Sequence, residues 1–492
     1  MATAKKKKDV KPAVRARSGK TAPGASIGSH DTTVYIRRCE EYDREKIRGL
    51  VLEGMRELDY RPKGKIFVKP NVVYAGNPEK YGSTTYTHPA VIAAAMTALG
   101  NSDGVDRVDL GEKCGMGTPT RYCFRNAGYY DVVAEVDAKT RADVDIFCID
   151  EERRDRVFVG GVVHNVLRVA RRMARADSKV YLPKLKCHCV TNMTGAVKLN
   201  IGICSEDERA IRHDFLLPDK IVDLLAAGYP DFTVMDAIDV GVGNEGVPTP
   251  RRMGLLLMGR NPVAVDIVAA RLLGYEIGDI NYLARAVERG YRPGRIEDVK
   301  LKGDVTTLRE LAKYAGRAMP YDDEFYRWQD INKDLRRLGA PMVFLHGYSR
   351  ADNRMKCETG CAMGLKMFFG WTEAYAGPER FRTLKPATII VGRIDEEVDA
   401  RGGQVFMVGS CAAAPGLKNA GGVTKIDRCF TTTVDLLQSL SSKVGLPTPF
   451  VDPKEGLPLF RDIFIASMMK HRNLRYLQDI GHFMAQGLMK RI

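Results

Sequence analysis

Tyr181-Leu-Pro-Lys-Leu-Lys-Cys-His-Cys-Val-Thr-Asn-Met-Thr-Gly-Ala-Val-Lys-Leu-Asn-Ile-Gly202 is the stretch from which the fold is read. An apolar strand, Lys179 to Leu182, runs into a turn at Pro183. Beyond the turn come Lys184, Lys186, His188 and Lys198, the thiols Cys187, Cys189 and Cys204, and the turn-forming Thr191, Asn192, Thr194 and Gly195. In open α/β sheets the carboxyl ends of the strands are where ligands bind. Three cationic groups crowded there repel one another unless an anion or a metal-bound ligand sits among them. The simpler alternative puts Lys184 and Lys186 in water and makes His188 a packing residue. The density of the cluster favours an anion or cofactor site.

Outward from this stretch, strands and helices alternate. Thr33 to Arg37, Lys65 to Lys69, Val105 to Leu110, Val144 to Ile149 and Phe232 to Asp236 read as strands. Tyr42 to Leu58 carries helix-period apolar residues, and Pro89 and Asn261-Pro262 open further helices. The pattern implies an α/β fold: a doubly wound, mainly parallel sheet domain over residues 32–303. Asp239 to Pro248, with five turn-forming residues in ten positions, is expected to be an irregular loop. Residues 304–350 read as a helical linker, and 351–455 as a smaller cysteine-containing C-terminal α/β unit. Residues 456–492 read as an amphipathic helical tail whose apolar stripe, including Ile463, Phe464 and Met468, is expected to pack on the protein, with anionic lipid as the alternative.

The chain has 492 residues, 45% hydrophobic and 28% charged, with a net charge of +15. That is the balance of a soluble globular protein. No apolar run reaches the ~18–20 residues of a membrane helix, and the basic stretch Met1 to Ser29 lacks the apolar core of a secretory signal. A cytoplasmic location is the expectation. Residues 1–31, with Lys5 to Lys8 in a row, read as a disordered basic tail. Such tails touch nucleic acid or anionic membrane, but no nucleic-acid-binding motif accompanies this one. Eleven cysteines in a chain of this length are no disulfide scaffold; in a reducing compartment they are buried, catalytic or metal-bound.

A series of short motifs follows in order: Lys69-Pro70-Asn71, Thr87-His88-Pro89, Pro183-Lys-Leu-Lys-Cys-His188, Thr194-Gly-Ala-Val-Lys198-Leu-Asn200, Asp236-Ala-Ile, Gly243-Asn-Glu-Gly246 and Asn261-Pro-Val-Ala-Val-Asp266. The series resembles the DUF362 family, whose members carry K-P-N, T-H-P, P-K-x-K-x-H and D-P-x-A-x-D. It spans about residues 33–303, and Asn261 stands where the family has Asp. The resemblance implies a fold and a site without a defined reaction. It also implies iron–sulfur chemistry in many members, although the ferredoxin run C-x-x-C-x-x-C is absent here. A weaker similarity is to lactate racemase and its relatives. They present a His, a Lys ten residues later that holds a nickel pincer nucleotide, and a second His. His188, Lys198 and His213 have comparable spacing, which implies distant kinship of scaffold and is no evidence of nickel.

The candidate chemistry is as follows. Lys69, Asn71, His88, Glu112, Lys184 and Lys186 are expected to bind substrate around one cavity, with His88 alternatively capping its helix. His188, Glu245 and Lys198 are the catalytic candidates, His188 as general base or metal ligand and Glu245 as proton-transfer group or metal ligand. Asp266 is expected to stay within its helix or support the loop. Cys357, Cys361, Cys411 and Cys429 form a candidate metal set, with a 4Fe-4S iron–sulfur cluster ahead of zinc and buried thiols as the alternative. The leading reading is an enzyme, an oxidoreductase or an isomerase, that acts on a small anionic metabolite. A non-catalytic electron-transfer or metal-handling protein, and a peripheral protein docking through its basic tails, are the competitors. A redox partner and a homo-oligomer are compatible with each.

Overall fold

The computed structural model describes residues 31–319, 321–349 and 354–473, and the backbone of residues 14–15. The basic run Lys5 to Lys8 and the end of the tail, residues 474–492, lie outside the described residues.

The central element is a ten-stranded mixed sheet. Asp143–Cys148, Val105–Glu112, Gly64–Pro70, Ser178–Leu182 and Phe232–Val242 run parallel in that spatial order. Thr249–Gly259 then turns back antiparallel, followed by Thr33–Arg38 and Lys300–Gly303. Helices cover both faces. Arg44–Glu57, Pro89–Gly100 and Tyr129–Asp137 bury Val51, Ile92 and Val133 against one side. Leu217–Gly228, Pro262–Leu272 and Asn281–Glu288 bury Leu225, Val268 and Leu283 against the other. The mainly parallel, doubly wound α/β domain is therefore present. The helix starts follow local chemistry: Asp43 accepts the Lys46 N–H at 2.7 Å, and Asn261 Oδ1 accepts the N–H groups of Val263 and Ala264 at 3.0 and 3.2 Å ahead of Pro262 at the first helical position.

Beyond the turn at Pro183 the chain resumes as a strand, Lys184–His188, pairing parallel with Phe232–Val242 and antiparallel with Asn192–Thr194. One expectation changes here. Residues 239–242 of the anticipated loop 239–248 are strand: Phe232–Val242 continues past Asp239 and pairs with Thr249–Gly259, with a register shift between Ala237 and Asp239. The bulge absorbs the local irregularity that the glycines announce, so the ladder resumes instead of ending.

A second sheet has four parallel strands, Met342–His346, Ala387–Arg393, Gln404–Ala413 and Gly422–Ile426 in spatial order. Its core takes Trp328, Ile331 and Leu335 together with Leu365, Phe368 and Leu436. Segment 304–350, expected as a helical linker, thus gives this unit a strand and part of its core.

The final helix, Pro453–Arg472, reverses the expected packing. Its buried side chains are Glu455, Asp462 and Ala466, while Ile463, Phe464 and Met468 are exposed. Ion pairs decide the orientation: Glu455 meets Lys80 at 2.9 Å and the Tyr81 hydroxyl at 2.7 Å, and Asp462 meets Arg125 at 3.2 Å.

Candidate functional site

Lys184, Lys186 and His188 alternate along one strand and so share a face, while Leu185 and Cys187 enter the core behind. The three side chains find different partners. Lys184 Nζ lies 2.9 Å from Asp236 Oδ2 and 2.8 Å from the Tyr42 hydroxyl. Lys186 Nζ donates to the carbonyls of Thr85 and Glu245 at 2.7 and 3.3 Å; burial, aided by Lys198, lowers its pKa to about 7. His188 Nε2 stands 3.2 Å from Glu245 Oε1. The repulsion anticipated within the cluster is thus relieved largely by the protein's own acceptors.

A cavity of about 210 Å³ opens at the carboxyl end of this strand. Asn71, Glu112, His188, Lys198 and Glu245 line it. Lys69, His88, Lys184 and Lys186 do not, which corrects the expectation of one cavity shared by all of them. Lys69 is fully buried behind the wall, 2.6 Å from Glu112 Oε2, and burial pulls this ammonium down and pushes the carboxyl up. Gly202 makes the approach feasible, since a Cβ there would collide with both groups. His88 caps the helix Pro89–Gly100, its Nδ1 accepting the Ala90 N–H at 3.2 Å, and stacks on Tyr42 at 3.6 Å. Burial lowers its pKa to about 4.

At the cavity's polar end, His188 Nδ1 accepts the N–H groups of Val190 and Thr191 at 3.2 and 3.3 Å, so the ring's proton sits on Nε2 and is donated to Glu245. Burial holds this imidazole neutral. Burial also works against the Glu245 carboxylate, but His188 and the N–H and S–H of Cys189, at 3.0 and 3.1 Å, outweigh it and keep the group ionised. The ligand atoms of His188, Cys189 and Glu245 lie within 4.8 Å of one another and could hold a metal ion. In their present hydrogen bonding they share protons around one carboxylate.

Lys198 is half-buried and faces the cavity with no hydrogen bond or ion pair among the described residues. Burial, reinforced by Arg209, outweighs Glu245 and lowers its pKa to about 8. Asp266 fixes the turn that carries it, accepting the N–H groups of Ala196 and Val197 at 2.6 and 3.0 Å. Around the same cavity, Asn71 Oδ1, Thr194 Oγ1, Arg209 Nε and His213 Nδ1 are buried with no hydrogen-bond partner. Buried polar groups are nearly always paired, so a cluster of orphans around one cavity marks where a ligand or ordered water belongs.

The motif series and this geometry fall in the same part of the chain. Residues 66–271 match the DUF362 family, described as a domain of unknown function. A thylakoid-associated protein of Synechocystis sp. is similar to the chain at 26% identity over 244 residues, 48% of this chain and 71% of that protein. The solved lactate racemase apoprotein from Thermoanaerobacterium thermosaccharolyticum is similar at 12% identity with a TM-score of 0.31, over 53% of this chain and 60% of that one.

The DUF362 region does not close the cavity alone. The helix Cys361–Ala376 of the C-terminal unit crosses it: Met363, Met367 and Trp371 line the wall, Lys366 Nζ donates to the Cys189 carbonyl at 3.2 Å, and Asn244 donates to the Lys366 carbonyl at 2.8 Å. Phe430 lines it too, stacked on His213 at 4.6 Å. Arg209, Cys189 and this apolar wall were not among the sequence-derived site residues. Cys189 had a signal, its adjacency to His188. The wall had none, since it comes from a helix more than 100 residues downstream of the motifs it faces.

Cys357, Cys361, Cys411 and Cys429 gather beside this wall, at the carboxyl ends of the second sheet's strands. The sulfurs of Cys361 and Cys411 both lie within 4 Å of the point a Cβ on Gly409 would occupy. Burial raises the pKa of Cys357, Cys361 and Cys429, and each senses another thiol of the set: Cys361 acts on Cys357, Cys411 on Cys361, and both on Cys429. Such a set of thiols could bind a metal.

Proposed function

We propose that the protein is an enzyme that binds a small anionic metabolite between the DUF362 region and the C-terminal unit. The observation that carries this reading is the unpaired Lys198 in a cavity whose wall also holds four orphaned polar atoms. Lys198 attracts the anion, and Arg209 adds positive potential. Asn71 and Thr194 supply hydrogen bonds that fix the ligand's orientation. Lys198, its pKa lowered to about 8, can give up and take back a proton and so exchanges one with the bound molecule. His188 and Glu245, locked by the backbone N–H groups of residues 189–191, present a fixed dipole at the reacting end. The helix Cys361–Ala376 excludes water.

The four cysteines of the C-terminal unit suit an iron–sulfur cluster better than zinc. Zinc–sulfur bonds of about 2.3 Å hold four thiolates roughly 4 Å apart, yet among the described residues only His188, Cys189 and Glu245 bring three ligand atoms within 4.8 Å. Gly409, lacking a side chain, leaves the space beside the sulfurs of Cys361 and Cys411 open, and the four thiols would hold such a cluster there. When bound, the cluster would supply one-electron transfer next to the His213–Phe430 stack.

The test is calorimetric titration of the full chain with small carboxylates and inorganic phosphate, beside the Lys198→Ala variant. Saturable binding that Lys198→Ala weakens at least roughly tenfold, about 1.4 kcal/mol, supports the reading. Binding of none of these probes, or equal binding by the variant, overturns it.

A further inference from the structure

The helix Pro453–Arg472 is held to the body by its polar face, which leaves its apolar face in solvent. Leu457, Phe460, Phe464 and Met468 recur at intervals of three and four, so they form one stripe. Leu457 is 68% exposed and Phe464 66%. Of the fifteen large exposed hydrophobic side chains among the described residues, five lie on this helix and Val451 stands just before it. Scattered apolar residues on a surface need no explanation, whereas a contiguous stripe marks an interaction site.

Charge defines the partner. The helix has two acidic residues, Glu455 and Asp462, and both are buried against the body in ion pairs with Lys80 and Arg125. Every exposed charge it carries is basic or can become so: Lys454, Arg461, His471 and Arg472. Lys454, Arg461 and Arg472, separated by seven and eleven residues, run along one flank of the stripe. An apolar ridge bordered by cations is the pattern of a helix that lies in the interface of an anionic bilayer, with its apolar side chains among the acyl chains and its cations at the headgroups. A protein partner would need a groove lined with carboxylates; an anionic lipid surface supplies both properties at once. No helix among the described residues is long and apolar enough to cross a membrane, so the contact is peripheral.

We infer that the exposed face of Pro453–Arg472 docks the protein on an anionic lipid surface. This is independent of the reading of the cavity. Full-length protein is sedimented with phosphatidylcholine vesicles, and with the same vesicles containing phosphatidylglycerol, at low and high salt. Two double variants accompany it, Phe460→Ser with Phe464→Ser and Lys454→Glu with Arg461→Glu. All four positions are exposed, and circular dichroism checks that the fold persists. The expected result is binding to the anionic vesicles that salt weakens and that each double variant lowers by roughly tenfold or more. Absence of binding, or binding by either double variant equal to that of the wild type, overturns the inference. So does a wild-type dimer that becomes monomeric in the Phe460 and Phe464 variant, because the stripe would then belong to a second copy. Binding that truncation at residue 473 raises would assign the stripe to the chain's own C-terminal segment, and also overturns it.

Discussion

Lys184, Lys186, His188 and Lys198 are four basic residues within fifteen positions, and their neighbours give each a different chemistry. Asp236 neutralises Lys184, two carbonyls hold Lys186, Glu245 accepts from His188, and Lys198 is left to the cavity. Affinity for an anionic probe is expected to fall as pH rises through about 8, because the Lys198 ammonium loses its charge there; affinity that stays constant from pH 7 to 9 would count against Lys198 as the anchor. Asp266→Ala would strand the N–H groups of Ala196 and Val197, at about 1–3 kcal/mol each. Urea unfolding should report that loss, and ligand binding should weaken as the Lys198 turn loosens. Lys69→Met is expected to cost about 3–5 kcal/mol by leaving the buried Glu112 carboxyl without its cation. Adding Glu112→Leu should restore part of the loss, and a double variant less stable than the single would contradict the pairing.

At the level of elements, hydrogen-bond ladders and ion pairs override local composition. Phe232–Val242 contains the glycine and aspartate that read as loop, yet Thr249–Gly259 on one side and Lys184–His188 on the other supply partners that keep it extended. The end of Pro453–Arg472 shows the same priority. Its apolar stripe is the stronger sequence signal, but Asp462 and Glu455 reach Arg125, Lys80 and Tyr81 on the body, and those contacts set which face turns inward. Asp462→Ala is expected to loosen the helix and raise its susceptibility to limited proteolysis, with little change in the protein's unfolding midpoint. The converse result, a large loss of global stability with unchanged cleavage, would mean that the helix belongs to the folding core.

In the whole molecule the cavity is a product of both units. Anaerobically prepared protein is expected to contain iron and to show the broad visible absorption of an iron–thiolate chromophore, and Cys361→Ala or Cys411→Ala should remove both; protein with neither iron nor zinc would exclude the metal reading of these cysteines. The sequence by itself determined the doubly wound α/β class, because alternating strand and helix periods together with Pro and Asn helix starts are local properties. It also marked His188, Lys198 and Glu245, since small turn residues and ionisable groups were crowded at a strand's end. Only the tertiary structure decided which cations were already neutralised, because Asp236 and the Thr85 carbonyl reach Lys184 and Lys186 from far along the chain. The apolar wall around Trp371, the approach of Cys361 to Cys411, and the outward turn of Phe460 and Phe464 likewise depended on how distant segments pack. A sequence records which residues are adjacent along the chain, while a site and its electrostatics depend on which are adjacent in space.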